Sequence, residues 1–299
     1  MKIKNITVGI PAFNEERNIS QLIHSVIKQK LIGIRISEIV VSSDGSSDNT
    51  VYILKKMKNK ILKIYENSDR MGIARGLNQI IENTSSDILV TLDADITIKD
   101  ENFIQNLVDP IIKEDVDHTS SAILDIENTT YFSRIISNSM KLKEILFGII
   151  RDGHNVYNCR GLARGYSKRF YKEIRFPSSI GNDAYSYLLS AKKGYSFKYV
   201  KKAIAYYKLP SNLSDHLRQS SRFFSTGLVI GKHFNKDFVK NELKISFFDY
   251  LKAFLISIPI LLKNPLKSLI YYVIQFFVSF KVLGSYENKQ TWDLAYSTK

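Results

Sequence analysis

The chain has 299 residues with 43 Lys and Arg against 29 Asp and Glu, a formal charge of +14, and is 44% hydrophobic and 12% aromatic. That is globular composition, enough for one large core or two joined domains. The single cysteine, Cys159, excludes an internal disulfide framework and a multi-cysteine zinc site, and points to a reducing compartment. The basic residues are mostly isolated lysines, without an Arg-rich run or an RNA-binding aromatic signature, so nucleic acid is not the expected partner.

From Met1 the sequence enters an apolar strand-like run with no secretory h-region or cleavage site, so export is not expected. Asn5 to Pro11 reads as a strand ended by proline, and apolar spacing at Ile19, Leu22, Ile23, Val26 and Ile27 predicts a helix over Asn18–Lys30. Glu38–Ser43, Ile61–Glu66 and Asp87–Leu92 read as further strands, with helices over Thr50–Met57 and Ile73–Ile81 between them. Four strand-to-helix alternations in about ninety residues imply a largely parallel, doubly wound α/β sheet. In such sheets ligands sit at the carboxyl ends of the strands, so Asn14-Glu15, Asp44 to Asp48 and Asp93 to Asp95 are expected to converge on one crevice.

Beyond residue 100 the alternation is lost. Phe103–Ile112 and Ser133–Ile150 read as helices, Ser120–Asn128 as a strand, Ala163–Tyr171 as mixed and Ala184–Ala191 as a helix. With no repeat and no low-complexity linker, the expected organisation is one domain over 1–240, in two halves (1–100 and 101–240), followed by a helical tail over 241–299. Residues 1–200 hold a surplus of 5 positive charges and residues 201–299 a surplus of 9. In the tail, aromatics and aliphatics interleave with lysines, as in Phe247 to Leu255 and Tyr271 to Phe277. The uncharged runs Ala253–Leu262 and Ser268–Phe280 fall short of the roughly 18 residues of a spanning helix. An interfacial helix pair on an anionic membrane fits this pattern; a hairpin packed on the protein's own core, punctuated by Pro259 and Pro265, is the alternative.

Asp93-Ala94-Asp95 ends a buried strand, and two carboxylates there need a cation or protons, because an unpaired buried charge costs several kcal/mol. Oxygen-only ligands select Mg²⁺ or Mn²⁺, completed by phosphate oxygens; Asp-x-Asp also occurs in plain turns. Ser43-Asp44-Gly45-Ser46-Ser47-Asp48-Asn49-Thr50 follows a strand and opens a helix. An N-cap at Ser47 or Asp48 accounts for one polar residue, and the others suggest a ligand with hydroxyl and amide groups, with Asp44 facing a base or ribose. Neither GxGxxG nor a P-loop lysine is present, which disfavours a dinucleotide enzyme and a P-loop kinase.

Val8-Gly9-Ile10-Pro11-Ala12-Phe13-Asn14-Glu15-Glu16, then the run from Ser43 to Thr50, Asn67 to Asn78 and Leu92 to Asp95 together resemble the ordered motifs of family 2 glycosyltransferases with the GT-A fold, over roughly residues 5 to 225. The resemblance implies a nucleoside diphosphate-sugar donor, a UDP-sugar foremost, with Mn²⁺ or Mg²⁺ on its diphosphate. Carried over, Pro11 and Phe13 lie beside the base, Glu15 near the ribose and Asp44 at the base; Arg70, Gly72 and Arg75 border the nucleotide; Asp93 faces ribose or sugar and Asp95 the metal. Phe13 stands where Tyr is usual, and Arg75 has an alternative as a salt-bridged helix residue. Gly161 to Arg169 resembles the acceptor-side segment. Asp183 falls where the family has its catalytic base, with Asn182 in place of the usual Glu; an N-cap role is the alternative for Asp183. Pro210 to Phe223 resembles Gln-x-x-Arg-Trp, with Phe223 in place of Trp; Gln219 and Arg222 lie on one helix face, the resemblance implies that Arg222 neutralises the leaving diphosphate, and His216 is read either as an extra metal contact or as a surface or capping residue.

The expectation is therefore an inverting, metal-dependent glycosyltransferase of GT-A fold with a C-terminal helical tail, in cell-surface polysaccharide or glycolipid synthesis. Asp183 would serve as base, and the acceptor would be a hydroxyl, on a lipid-linked molecule at the cytoplasmic face of a membrane. The rivals are a nucleotidyltransferase of related fold and a non-catalytic membrane-bound scaffold descended from a transferase. The first is expected to carry a basic glycine-rich loop where this chain reads Pro11 to Glu16. The second has no reason to keep Asp44, Asp93, Asp95 and Asp183.

Overall fold

The computed structural model describes residues 3–126, 129–178, 181–284 and 296–298, with the backbone alone for 221–229, 278–284 and 296. Strand and helix alternate through β1 (Lys4–Ala12), α1 (Ile19–Ile27), β2 (Ile34–Asp44), α2 (Thr50–Lys56), β3 (Leu62–Asn67), α3 (Ile73–Glu82) and β4 (Ile88–Leu92), as the hydrophobic period predicts. The chain continues through β5 (Thr97–Ile98), α4 (Phe103–Lys113), β6 (His118–Asp125), α5 (Tyr131–Ile149), β7 (Ala163–Ser167), α6 (Lys168–Tyr171), α7 (Asn182–Lys193) and β8 (Phe197–Tyr207). Four helices follow: α8 (Leu213–Ile230), α9 (Lys236–Glu242), α10 (Phe247–Lys263) and α11 (Pro265–Gly284).

The strands form one mixed, mostly parallel, 8-stranded sheet in the order β3-β2-β1-β4-β7-β6-β8-β5. β1 pairs in parallel with β2 and β4, whereas β7 lies antiparallel to both β4 and β6, so the sheet crosses residue 100 without a break. Alternation along β4 sends Ile88, Val90 and Leu92 to one face, with α1 and α4, and Leu89 to the other, with α3, α6 and α7. Both faces are covered, which is why these strands read as nearly continuous apolar runs.

Two strands escape the sequence pattern. β8 pairs Ser121 with Val200 and then Ala122 with Ile204, so Lys201 and Lys202 bulge out into solvent and break the alternation. β5 is two residues long. Of the strand expected over Ser120–Asn128, the last two residues lie outside the described residues.

The tail is a helical hairpin with two unlike faces. Its inner face packs on α5 and α8: Asn138 donates to Ser268 Oγ at 3.0 Å inside the contact, and Ile135, Ile136 and Leu209 enclose Tyr271. Pro259 sits inside α10 rather than ending it, while Pro265 opens α11. The outer face leaves Phe247 74% and Phe248 78% exposed, with Phe254, Leu262, Tyr272, Phe276 and Phe277 also exposed. Although the uncharged runs are short, an 18-residue window within Lys236–Lys263 that holds at most two charges has a mean hydropathy of 1.8, and 11% of that window is buried. The backbone between α9 and α10 is not helical, so α10 alone has 17 residues, below the ~20 of a typical span.

Candidate active site

The loops after β1 and β2 are tied together by their own polar groups. Asn14, at a left-handed φ of 53°, donates its backbone N–H to Ser46 Oγ and accepts from the Ser47 N–H through Oδ1. Glu16 accepts from the backbone and side chain of Asn49, and the Glu15 N–H donates to Thr50 Oγ1. Asp48 accepts from the Thr50 N–H and the Glu16 N–H, one residue before the N-cap of α2 at Asn49. The expectation that most of this polar run requires a ligand is therefore corrected: the groups satisfy one another between the two loops.

Asp44 ends β2 nearly buried. Its Oδ1 accepts from the Met71 N–H and its Oδ2 from the Gly72 N–H, both at 2.8 Å. It thereby clamps the segment that enters α3, while each oxygen keeps one further acceptor site. Gly72 takes a φ of 93° to present that N–H. Gly45, at φ 69°, has no room for a side chain, since a Cβ would fall 2.9 Å from the Arg70 nitrogen and the Asp69 carbonyl carbon. The clamp sets Arg70 over the Phe13 ring, 4.0 Å from its centroid. Pro11 pairs with Ser42 at the same edge. Glu15 is buried, with Oε2 accepting from Asn18 at 2.8 Å and its carbonyl accepting the first amides of α1, so its visible duty is structural. Arg75 is exposed in the first turn of α3 and has no ion pair among the described residues, against the salt-bridge alternative.

β4 delivers Asp93 and Asp95, both half-buried, to this edge. The Asp93 N–H donates to the Leu162 carbonyl at 2.9 Å, which brings the segment before β7 alongside. A Cβ on Gly161 would lie 3.6 Å from Asp93 Oδ2 and 3.7 Å from Asn182 Oδ1, so β4 and the start of α7 meet across this glycine. Gly181 is the N-cap of α7, and Asp183 lies inside its first turn, with Oδ1 accepting from the Ala184 N–H at 2.8 Å. The N-cap alternative for Asp183 is thus displaced by two residues, and the carboxylate sits where the helix dipole favours negative charge. Among the described residues no three His, Cys, Asp or Glu side chains form a closed metal cage. An aspartate pair of oxygen donors in an accessible turn suits a Mg²⁺ or Mn²⁺ half-site that phosphate would complete.

Gln219 is half-buried on α8, and the side chain of Arg222 lies outside the described residues. His216 does not fit the metal role. Its Nε2 lies 3.2 Å from Gln275 of α11 and 3.4 Å from Ser220, and burial pushes its pKa down to about 4. It joins the hairpin to α8.

Behind Asp93 and Asp183 lies a buried polar cluster with no role assigned from the sequence. Arg164 of β7, fully buried, faces Thr91 across the β4 pairing and Ser120 across the β6 pairing. His118 stacks on Tyr166 at 4.9 Å, and Cys159 Sγ lies 3.6 Å from His118 Nε2. Burial, with Arg164 as the nearby cation, holds His118 well below its usual pKa. Burial also pushes the Cys159 thiol and the Tyr166 phenol up to about 12, which leaves Cys159 an inert thiol. In the sequence, Arg164 lies in the mixed stretch Ala163–Tyr171, within the segment that resembles the family's acceptor side, without a role of its own.

The family model "Glycosyl transferase family 2" matches residues 7–175. A 107-residue stretch is 26% identical to 4,4'-diaponeurosporenoate glycosyltransferase of Staphylococcus aureus, covering 35% of this chain and 28% of that protein. The chain thus spans little more than a quarter of the curated relatives it matches. The mannosyltransferase PcManGT of Pyrobaculum calidifontis, solved with GDP-Man and Mn²⁺, superposes with a TM-score of 0.66 at 15% identity, over 93% of this chain and 84% of that one. Glucosyl-3-phosphoglycerate synthase of Mycobacterium tuberculosis, solved with Mn²⁺, UDP and phosphoglyceric acid, gives 0.54 at 18%, over 75% and 78%. At these identities the two structures establish the fold, which is that of GT-A glycosyltransferases, and the family match sets the nucleotidyltransferase rival aside. With its model spanning more than half of the sequence, the chain belongs to glycosyl transferase family 2.

Proposed function

We propose that the chain transfers a sugar from a nucleoside diphosphate-sugar to a hydroxyl acceptor, with inversion, in glycolipid or cell-surface polysaccharide synthesis. The observation that carries this reading is the meeting of β4 and α7 across Gly161, with Asp93 on one side and Asn182, next to Asp183, on the other. Phe13 with Arg70 offers a flat cationic and aromatic surface to the base, Pro11 and Gly72 line the same edge, and Asp44 has acceptor capacity left for base or ribose. Asp183 takes the proton of the attacking hydroxyl as its oxygen bonds to the anomeric carbon and the bond to the nucleoside diphosphate breaks on the opposite face. A divalent cation held by Asp95 would neutralise charge on the departing diphosphate. Arg75, Gln219 and Arg222 are assigned to the phosphates.

Residues 1–240 make up the transferase unit in this reading, with 1–100 for the donor and 101–240 for the acceptor, and 241–299 attaches it to an anionic membrane at the cytoplasmic face. The exposed aromatics of α10 and α11, beside Lys252 and Lys263, support the attachment and with it a lipid-linked acceptor.

Calorimetry with a panel of nucleoside diphosphates and their sugars, uridine and guanosine members first, with and without Mn²⁺, tests the donor site on wild type and Asp95→Ala. Tight metal-dependent binding of one nucleotide, lost in the variant, is the expected result. No binding to any member sinks the transferase reading and promotes the scaffold.

A further inference from the structure

Arg164 is the largest fully buried side chain among the described residues. A buried guanidinium is costly, and an apolar side chain of similar volume would fill the same space without the desolvation penalty of several kcal/mol. Its hydrogen bonds show what it holds. Nη1 donates to Ser186 Oγ at 3.2 Å, and that hydroxyl donates onward to the Asp183 carbonyl at 2.9 Å. Cys159 Sγ donates to the same carbonyl at 3.3 Å, so two side chains grip one peptide of the first turn of α7. The ring faces of Tyr166 and Phe176 flank the guanidinium at 5.9 and 6.0 Å, and Nε is buried without a hydrogen-bond partner among the described residues. The carboxylates whose charge acts on it are Asp183 and Asp93, one from each side of the Gly161 junction.

We propose that Arg164 is a positioning residue for the transfer step: through Ser186 it fixes the first turn of α7 and with it the place of the Asp183 carboxylate relative to Asp93. The inference rests on the reading of Asp183 as base. A hydroxyl must meet that carboxylate within hydrogen-bond reach while aligned with the anomeric carbon, and a displacement of about 1 Å costs on the order of 100-fold in rate. The hydrogen-bonded relay runs to α7 and not to the loops around Phe13, Asp44 and Arg70, which are proposed to hold the nucleoside. Loss of Arg164 therefore acts on turnover and spares donor affinity.

The test measures release of nucleoside diphosphate from the sugar nucleotide found by calorimetry, with octyl glucoside as hydroxyl probe, for wild type, Asp183→Asn, Arg164→Met, Arg164→Lys and Ser186→Ala. Arg164→Met is expected to lower kcat about 30- to 100-fold with donor KM unchanged within about 2-fold, Ser186→Ala about 5-fold, and Arg164→Lys to recover most of the rate, since an ammonium still donates to Ser186. Amide hydrogen exchange in residues 182–186 should rise in Arg164→Met and Ser186→Ala and stay low in Arg164→Lys. Wild-type turnover in Arg164→Met or Ser186→Ala, with Asp183→Asn inactive, overturns the proposal alone. Equal losses of kcat and donor affinity also overturn it, as a structural role would. If Arg164→Met does not fold, Ser186→Ala decides. Wild-type turnover in Asp183→Asn overturns the base assignment itself.

Discussion

The loops over the donor edge and the hairpin at the C-terminus leave their surfaces in opposite states. Between residues 13 and 16 and residues 44 and 50, almost every polar group has an internal partner, and Asp44 adds two amides from the next segment. In α10 and α11 the inner face is packed, whereas a row of aromatics outside has no cover among the described residues. The first region is preorganised, so a nucleotide arriving there orders little and affinity is not lost to loop entropy. The second is incomplete as it stands, because exposed apolar surface on this scale marks a contact site.

The largest effect that can break this comparison lies at the acceptor end of the donor edge. Asp183→Asn is expected to lower turnover by about 1,000-fold or more with donor binding intact, read by paired kinetics and calorimetry. A matched loss of donor binding would mean that the first turn of α7 belongs to the nucleotide site. Gly45→Ala should cost about 2 to 4 kcal/mol, the left-handed backbone and a contact with main chain adding up, and should weaken nucleotide binding as well. A Gly45→Ala variant with wild-type denaturant midpoint and affinity would show that the loops are not rigid.

Acid acts on the other region. The pKa of His216, between α8 and the hairpin, is lowered by burial to about 4 in the fold, below its ordinary 6.5, and burial also holds His118 of the central sheet well below its ordinary value. The folded state therefore binds fewer protons than the unfolded chain between these values. This contribution to stability is complete above pH 6.5 and is lost as pH falls toward 4, by up to about 3 kcal/mol for His216. Denaturant titrations at pH 7 and pH 4.5 should show the decline, and His216→Gln should flatten part of it. An unchanged slope in that variant would mean that His216 is not confined by the hairpin.

The parts visible in advance were those written in local periodicity. Seven elements from β1 to β4 followed from apolar spacing, and the convergence of residues near 14, 44 and 93 followed from strand ends in a parallel sheet. β8 was hidden because its bulge at Lys201 and Lys202 breaks the period, and no single-chain pattern encodes a bulge. Arg164 was hidden for another reason: its partners, Thr91, Ser120 and Ser186, are set by antiparallel register and helix docking between segments far apart in sequence. The polar run at 43–50 is visible in the sequence, but its partners are not, because they lie in the loop after β1 and in the segment entering α3.

The smallest expected change in stability is also the sharpest test of the uncovered face. Phe248 and Phe276 are exposed on α10 and α11, so Phe248→Ser with Phe276→Ser should leave the denaturant midpoint within about 0.5 kcal/mol of wild type. If the face lies on lipid, each ring contributes about 1.5 kcal/mol or more of transfer free energy, and the pair should weaken sedimentation with phosphatidylglycerol vesicles roughly 100-fold. Tyr271, 5% exposed on the inner face, supplies the contrast: Tyr271→Ala should cost about 3 kcal/mol in stability, as a packed aromatic does. A double variant that binds vesicles like wild type removes the membrane from the reading. One that loses several kcal/mol shows instead that the outer aromatics are packed in solution, against a second copy of the chain, and a concentration-dependent midpoint identifies that case.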